Sequence, residues 1–257
     1  MKIVNNAQAK KKVISRPQGS LRLHDYFGES VSVVDGPQAF LVEQDPHSKG
    51  QPHFHDVDQF QIFARGDGKM GKHPVHPFSV HYADAFTPYG PISAGDEGLG
   101  YFTIRIIGAT GNWPMPVNSD KIPRKPGQGI GRFFTVNFES YKTPLANGQV
   151  VREMLWGPAP DGLAVVGFWM GSNAVAMSDR SEEPGQYILV CSGSLIYEGQ
   201  TYTEGALGLL AAGEEPVELR AGDAGAQLLL MQFARPSDRP GSSLGSRASH
   251  TVDYVMH

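Results

Sequence analysis

Residues 53–68 read HFHDVDQFQIFARGDG, and this stretch decides the fold expected for the chain. Within it, Gln59 and Gln61 alternate with Phe60 and Ile62. Alternation with a period of two places polar and apolar side chains on opposite faces of a β-strand. The run then reaches a Gly-Asp-Gly sequence, which is typical of a tight turn. We therefore predict a strand that runs into a turn.

The same pattern recurs in the second half of the chain. Gln186 opens an apolar run as Gln59 does, and each run reaches a glycine seven residues later. The two glutamines are 127 residues apart, and the same offset brings the strand-like segment 101–106 (YFTIRI) onto 228–233 (LLLMQF). Agreement at separate places predicts a duplicated β unit.

The length and the turn residues agree with two β domains. A chain of 257 residues can form two domains, each with its own core. Its 31 glycines and 19 prolines, spread between short apolar runs, favour many short strands over long helices. We predict an N-terminal domain at 1–120, a C-terminal domain at 121–240 and a tail at 241–257, with the irregular, proline-rich segment 111–129 at the join.

Composition narrows the classes of partner. The 22 basic and 26 acidic side chains, with a pI near 6.1, give no electrostatic footprint for nucleic acid or an anionic membrane. We expect small-molecule partners instead. The single cysteine, Cys191, argues against a disulfide-built secreted fold, and no segment reads as a secretory signal or a membrane span. We therefore expect a cytoplasmic protein.

Histidines are concentrated in the first half. Seven of the nine precede residue 82, at positions 24, 47, 53, 55, 73, 76 and 81. His53 and His55 are two residues apart, so on a strand both rings point to one face, which Gln59 and Gln61 continue. Imidazole is the commonest protein ligand of divalent transition metals. Any metal chemistry is therefore expected in the first half.

At this point a resemblance to a known family becomes specific. The spacing His53-x-His55-x3-Gln59-x6-Gly66 resembles the first cupin motif, histidine-x-histidine-x(3 or 4)-glutamate-x6-glycine, with glutamine in place of glutamate. The second cupin motif is proline-x-glycine-x-x-histidine. Residues 88–93 (PYGPIS) keep its proline and glycine but have serine at the histidine position.

The resemblance, with the repeat, implies an all-β bicupin of two tandem antiparallel jelly-roll β-barrels. It further implies one divalent metal, Fe, Mn, Ni or Zn, inside the first barrel, with His53, His55 and Gln59 as ligands. The second barrel is expected to hold no metal. Its equivalent positions have Arg180 and Glu182 in place of the two histidines, Gln186 in place of the glutamate and Pro216 in place of the last histidine.

Four more residues are candidates for substrate binding, since their polar groups could orient an anionic or carbonyl substrate: Gln61, Tyr89, Ser93 and Arg105. Two functions stay open. In one, the protein is a metal-dependent enzyme of the oxygenase, isomerase or decarboxylase class that acts on a small organic substrate. In the other, loss of the motif glutamate and histidine leaves a non-catalytic binding or regulatory barrel. Cupin-like barrels commonly pair, so a homodimer is also expected.

Overall fold

The structure, a computed structural model, describes residues 1–16, 19–123, 131–140 and 143–242. Most of the predicted tail therefore lies outside the described residues. Two compact units are present, and each is a β structure with its own core. Among the described residues, the unit called here the N-terminal barrel comprises those within 10–135 and 237–242, while the C-terminal barrel comprises those within 1–9 and 136–236. The first nine residues thus belong to the C-terminal unit. The predicted domain limits place them in the N-terminal domain, 1–120.

Nine strands belong wholly to the N-terminal barrel: β2 Lys10–Arg16, β3 Gly19–Phe27, β4 Gln38–Gln44, β5 His53–Phe54, β6 Gln59–Met70, β7 His73–Val75, β8 Ser79–Ala83, β9 Ile92–Arg105 and β10 Trp113–Pro114. A tenth strand, β11 Phe133–Asn137, forms the edge of its sheet, and the last two residues of β11 are assigned to the other unit. The sheet order is β11-β8-β6-β9-β4-β3-β2, with β7 paired to β6, and β10 and β5 form a separate two-stranded pair.

The C-terminal barrel contains the remaining strands: β1 Lys2–Val4, β12 Val150–Trp156, β13 Ala164–Met170, β14 Val175–Met177, β15 Gly185–Tyr197, β16 Gln200–Thr203, β17 Leu207–Ala211 and β18 Glu218–Gln232. Its order is β1-β17-β15-β18-β13-β12, with β16 paired to β15 and β14 to β18. The regular helices among the described residues are two short 3₁₀ turns, Asn6–Gln8 and Ser119–Lys121. None of the described residues forms a helix long and apolar enough to cross a membrane.

The 127-residue repeat includes the register shifts between paired strands. The pairing of β6 with β9 shifts register after Phe63 and again after Gly66, and the pairing of β15 with β18 shifts after Val190 and Gly193, at the same offset. Both glycines have positive φ, +74° and +69°. A β-bulge adds twist and curvature to a strand, so equal bulges bend both long hairpins at the same place. The predicted all-β fold of two tandem jelly-roll barrels is confirmed.

Side chains alternate across each strand of the N-terminal barrel as the sequence predicts. Phe60 and Ile62 are fully buried on one face of β6, whereas Gln61 and Phe63 point into the barrel. Inward residues on neighbouring strands form an apolar cluster that includes Leu23, Phe40, Val42, Ile92, Leu99 and Tyr101. This arrangement leaves a space inside the barrel, and the polar residues of β6 and β9 face it.

Candidate functional site

The N-terminal barrel encloses a cavity of about 1120 Å³. Part of its wall is apolar, from inward residues of β3, β4 and β9: Leu21, Leu23, Phe40, Val42, Ile92 and Tyr101. Its described lining residues that are cationic at neutral pH are Arg105, at the end of β9, and the exposed Lys49. Among the described residues, no aspartate or glutamate lines the cavity. The charge that the lining presents is therefore positive.

Arg105 is fixed inside the barrel by amide groups. Its side chain is only 2% exposed. The guanidinium donates to Oε1 of Gln38 at 2.6 Å, and through Nε and Nη2 to Oε1 of Gln59 at 3.1 and 2.9 Å. Gln38 is itself oriented, because its amide nitrogen donates to the carbonyls of Glu29 and Ser32 at 2.6 and 3.1 Å. Amide oxygens carry no formal charge, so these three bonds position the guanidinium and add no negative charge of their own.

His53 and His55 line the same cavity from β5 and the loop after it. Nδ1 of His53 lies 2.8 Å from the carbonyl oxygen of Gln51, and Nδ1 of His55 lies 2.5 Å from that of Gly111. A carbonyl only accepts, so each Nδ1 carries a proton, and in the neutral ring Nε2 then keeps its lone pair. The ring centroids are 5.2 Å apart at an interplanar angle of 83°.

The pKa of His55 lies well below its usual value of 6.5. Burial is the main cause, because a desolvated imidazolium is disfavoured, and the positive charge of Arg105 adds to it. His55 is therefore neutral at physiological pH. The ring presents an acceptor at Nε2, next to a fixed cation.

Tyr89 occupies the centre of this group of rings. Its ring centroid lies 4.6 Å from that of His53, 6.4 Å from that of His55 and 5.4 Å from that of His81. Its hydroxyl accepts a hydrogen bond from Nε2 of Gln59. The phenol thus links the histidines to the amide that holds Arg105.

His81 is a histidine that the sequence favoured as a surface or structural residue over a third imidazole ligand. On β8 it lies opposite Gln61 of β6, so its ring points inward, and it is 2% exposed. Burial lowers its pKa to about 4. All five residues of Ser79–Ala83 are buried, so the strand has no polar face from which its phase could be predicted.

Gln61 and Ser93 differ in their positions. Gln61 is 2% exposed and lines the cavity, and its buried Oε1 has no hydrogen-bond partner among the described residues. Ser93 lies between Ile92 and Ala94, whose side chains belong to the inner apolar cluster, so strand alternation turns Ser93 to the outer face. Ser93 is not among the described residues that line the cavity.

The donor set does not fit a resident divalent metal. His53 and His55 offer two imidazole nitrogens, but the described residues contain no group of three histidine, cysteine, aspartate or glutamate side chains that could hold an ion. The predicted third ligand, Gln59, turns its amide oxygen to the guanidinium of Arg105. That permanent cation repels a metal ion at the place where Gln59 would have to bind it. The geometry thus disagrees with Gln59 as a ligand.

In the C-terminal barrel the equivalent positions have other contacts. Gln186 donates to the carbonyl of Asp179 at 2.8 Å, while Arg180 and Glu182 form exposed ion pairs with Glu215 and Arg235. At the 127-residue offset, Arg105 corresponds to a glutamine, Gln232, which lies opposite Gln186. Of these two equivalent positions, the one in the N-terminal barrel therefore carries a buried cation and the one in the C-terminal barrel does not.

No protein-family model matches the sequence, and a comparison with curated protein sequences gives no match. Solved structures do match. A candidate dioxygenase from Nostoc punctiforme has a TM-score of 0.63 and 11% identity, over 94% of this chain and 84% of its own.

Two metal-binding bacterial proteins match over a similar length. Bacterial pirin YhhW from Escherichia coli, solved in complex with nickel(II), has a TM-score of 0.56 and 11% identity, over 91% of this chain and 99% of its own. A mutant of oxalate decarboxylase OxdC from Bacillus subtilis has a TM-score of 0.56 and 12% identity, over 91% and 77%. A further structure of that enzyme is described for its Mn(II) centres. These likenesses show the fold, and they agree with two tandem jelly-roll barrels.

Proposed function

We propose that the N-terminal barrel binds a small organic carboxylate, with Arg105 as the charge anchor and without a resident metal. The observation that carries this proposal is the make-up of the cavity lining, which among the described residues includes the buried Arg105 and the exposed Lys49 but no aspartate or glutamate. This is the binding-protein alternative that the sequence left open.

The position of Arg105 suits anion recognition. A guanidinium presents a planar set of donors that matches the two oxygens of a carboxylate. Burying an anion costs free energy unless it meets a paired charge, and a cation already held in place by Gln38 and Gln59 needs little reordering to meet it.

His55 adds a preference to this site. Its Nε2 accepts a hydrogen bond and, since the ring is neutral, adds no charge. A ligand that carries a hydroxyl or amine near its carboxylate satisfies His55 and Arg105 together. We therefore expect hydroxy acids to bind more tightly than the unsubstituted acids of equal length.

A calorimetric titration tests the anchor. Hexanoate should bind wild-type protein, and R105M should weaken binding by about 100-fold, the order expected for a buried charge-assisted pair. R105K keeps a point charge and should retain part of the affinity. Equal affinity in wild type and R105M, with both folded by circular dichroism, would remove Arg105 from the site.

A metal-dependent enzyme is the second candidate. The observation in its favour is that His53 and His55 both line the cavity with ring centroids 5.2 Å apart and with Nδ1, not Nε2, at a backbone carbonyl. The nickel and manganese sites named for the structural neighbours add support, and a metal bound there would allow an oxygenase, isomerase or decarboxylase activity.

Dimer formation and a cytoplasmic location stay predictions.

Metal analysis separates the two candidates. Protein purified without a histidine tag or chelator should contain well under one equivalent of Fe, Mn, Ni or Zn, and its carboxylate affinity should not change with EDTA. Stoichiometric metal that is lost when His53 and His55 are both replaced by alanine would favour the enzyme.

A further inference from the structure

We infer that the ligand is amphipathic, with its carboxylate on Arg105 and an apolar body that extends along the barrel axis toward Tyr101. This inference rests on the proposed carboxylate function and names the class of carboxylate. It follows from the order in which polar and apolar residues line the cavity, which the strand registers define.

The cavity changes from polar to apolar in successive layers. Arg105 lies opposite Gln38 in the first layer. Two residues along, Thr103 lies opposite Phe40 and also opposite Gln61 of β6, so this layer is mixed. The ring of Phe40 lies under the guanidinium, with the Arg105 Cζ atom 5.7 Å from the ring centroid.

The third layer is apolar. Tyr101 lies opposite Val42, and Val42 lies opposite Leu23. All three line the cavity and are at most 7% exposed. Transfer of a ligand methylene group from water to this apolar wall lowers the free energy of binding by about 0.8 kcal/mol.

The next layer is polar. Gln44, in the fourth layer, is 8% exposed and lines the cavity. Its Nε2 donates to the hydroxyl of Tyr101 at 3.4 Å, and its buried Oε1 has no partner among the described residues. An apolar body gains nothing from reaching this amide. The layer therefore sets an upper limit to the useful length.

The dimensions exclude the smallest acids as well-fitting ligands. Arg105 and Tyr101 are four residues apart on one strand, about 13 Å at 3.3 Å per residue. A two-carbon anion on Arg105 leaves most of the 1120 Å³ cavity and the whole apolar layer unfilled. A medium-chain or aromatic carboxylate fills both.

A chain-length series tests this inference. Acetate, butanoate, hexanoate, octanoate and dodecanoate are titrated calorimetrically into wild-type protein, with oxalate as the small polar acid. Affinity should rise about fourfold per methylene through the apolar layer and then level off at Gln44. If acetate and oxalate bind as tightly as octanoate, and R105M abolishes all three, the carboxylate function stands and the amphipathic ligand is wrong. If R105M changes none of the affinities, the carboxylate function itself fails.

A wall variant gives a second readout. V42T is nearly isosteric and places a hydroxyl in the apolar layer, so octanoate should bind about fivefold more weakly while acetate binding is unchanged. V166T, at a fully buried valine in the C-terminal barrel, is the matched control for stability and should leave octanoate affinity unaltered. Equal octanoate affinities in wild type and V42T would place the apolar body elsewhere and overturn the inference.

Discussion

Arg105 donates two hydrogen bonds to the amide oxygen of Gln59, over distances of 3.1 and 2.9 Å. Gln59 stands at the glutamate position of the motif that the sequence resembles, and here its oxygen is used by a guanidinium. A neutral amide positions this cation without adding a negative charge of its own. The proposed carboxylate site is built on this pair.

Restoring the carboxylate should remove the anion site. In Q59E the new carboxylate pairs directly with Arg105, and the site loses its net positive charge. We expect octanoate affinity to fall at least tenfold by calorimetry. The control is Q186E, at the equivalent position of the other barrel, where affinity should stay at the wild-type value. An unchanged affinity in Q59E would contradict the assigned role of Gln59.

His81 should make the fold sensitive to acid. Its pKa is about 4 in the folded protein against 6.5 ordinarily, so the unfolded state binds the proton more readily. The stability that this neutral ring contributes is complete above pH 6.5 and is lost as pH falls toward 4, by about 3 kcal/mol in total. Urea unfolding at pH 7.5 and 4.5 measures the loss, which should be smaller in H81Q. The exposed His76 supplies the control H76Q, which should behave as wild type.

Arg239 should stabilise the N-terminal barrel through two carboxylates. It lies 2.7 Å from Asp58 and 3.3 Å from Asp84, whose side chains are 12% and 3% exposed. R239M leaves buried carboxylates short of a partner, and we expect a loss of about 3 kcal/mol in the free energy of unfolding. R180M removes an exposed pair with Glu215 and should cost less than 1 kcal/mol. Equal losses would show that the Arg239 contacts contribute little.

The repeated bulges should be equally intolerant of a side chain. A Cβ at Gly66 or Gly193 would lie 2.1 Å from a backbone oxygen, that of Gly98 or Gly225. Gly199 has the same positive φ as Gly66 but open space around it. In chemical denaturation, G66A and G193A should each cost more than about 3 kcal/mol, whereas G199A costs about 1 kcal/mol from backbone strain alone. A small effect at Gly66 would mean that the bulge relaxes freely.

The fold was predictable because its signals are periodic and occur twice. The alternation that begins at Gln59, and its copy at Gln186, fixed the strand, the turn and the duplication. The inward direction of Arg105 was not predictable, since a strand buried on both faces, such as 99–105, gives no polar face to set its phase. The register opposite Gln38 decides it.

The site was predictable only in part. Gln61, Tyr89 and Arg105, expected as substrate contacts, and His53 and His55, expected as metal ligands, all line one cavity. Their roles in binding stay predictions. The segment 111–118 read as an irregular join, yet its residues line the cavity and the carbonyl of Gly111 fixes the tautomer of His55. That contact joins residues 56 positions apart, and only the folded chain brings them together.

The most direct test of the carboxylate site compares octanoate with octanamide on wild-type protein by calorimetry. The two have the same length and apolar body, so their affinities differ only through the head group. The account predicts that octanoate binds at least 30-fold more tightly and that the difference collapses in R105M. Equal affinities for the acid and the amide in wild-type protein would contradict it.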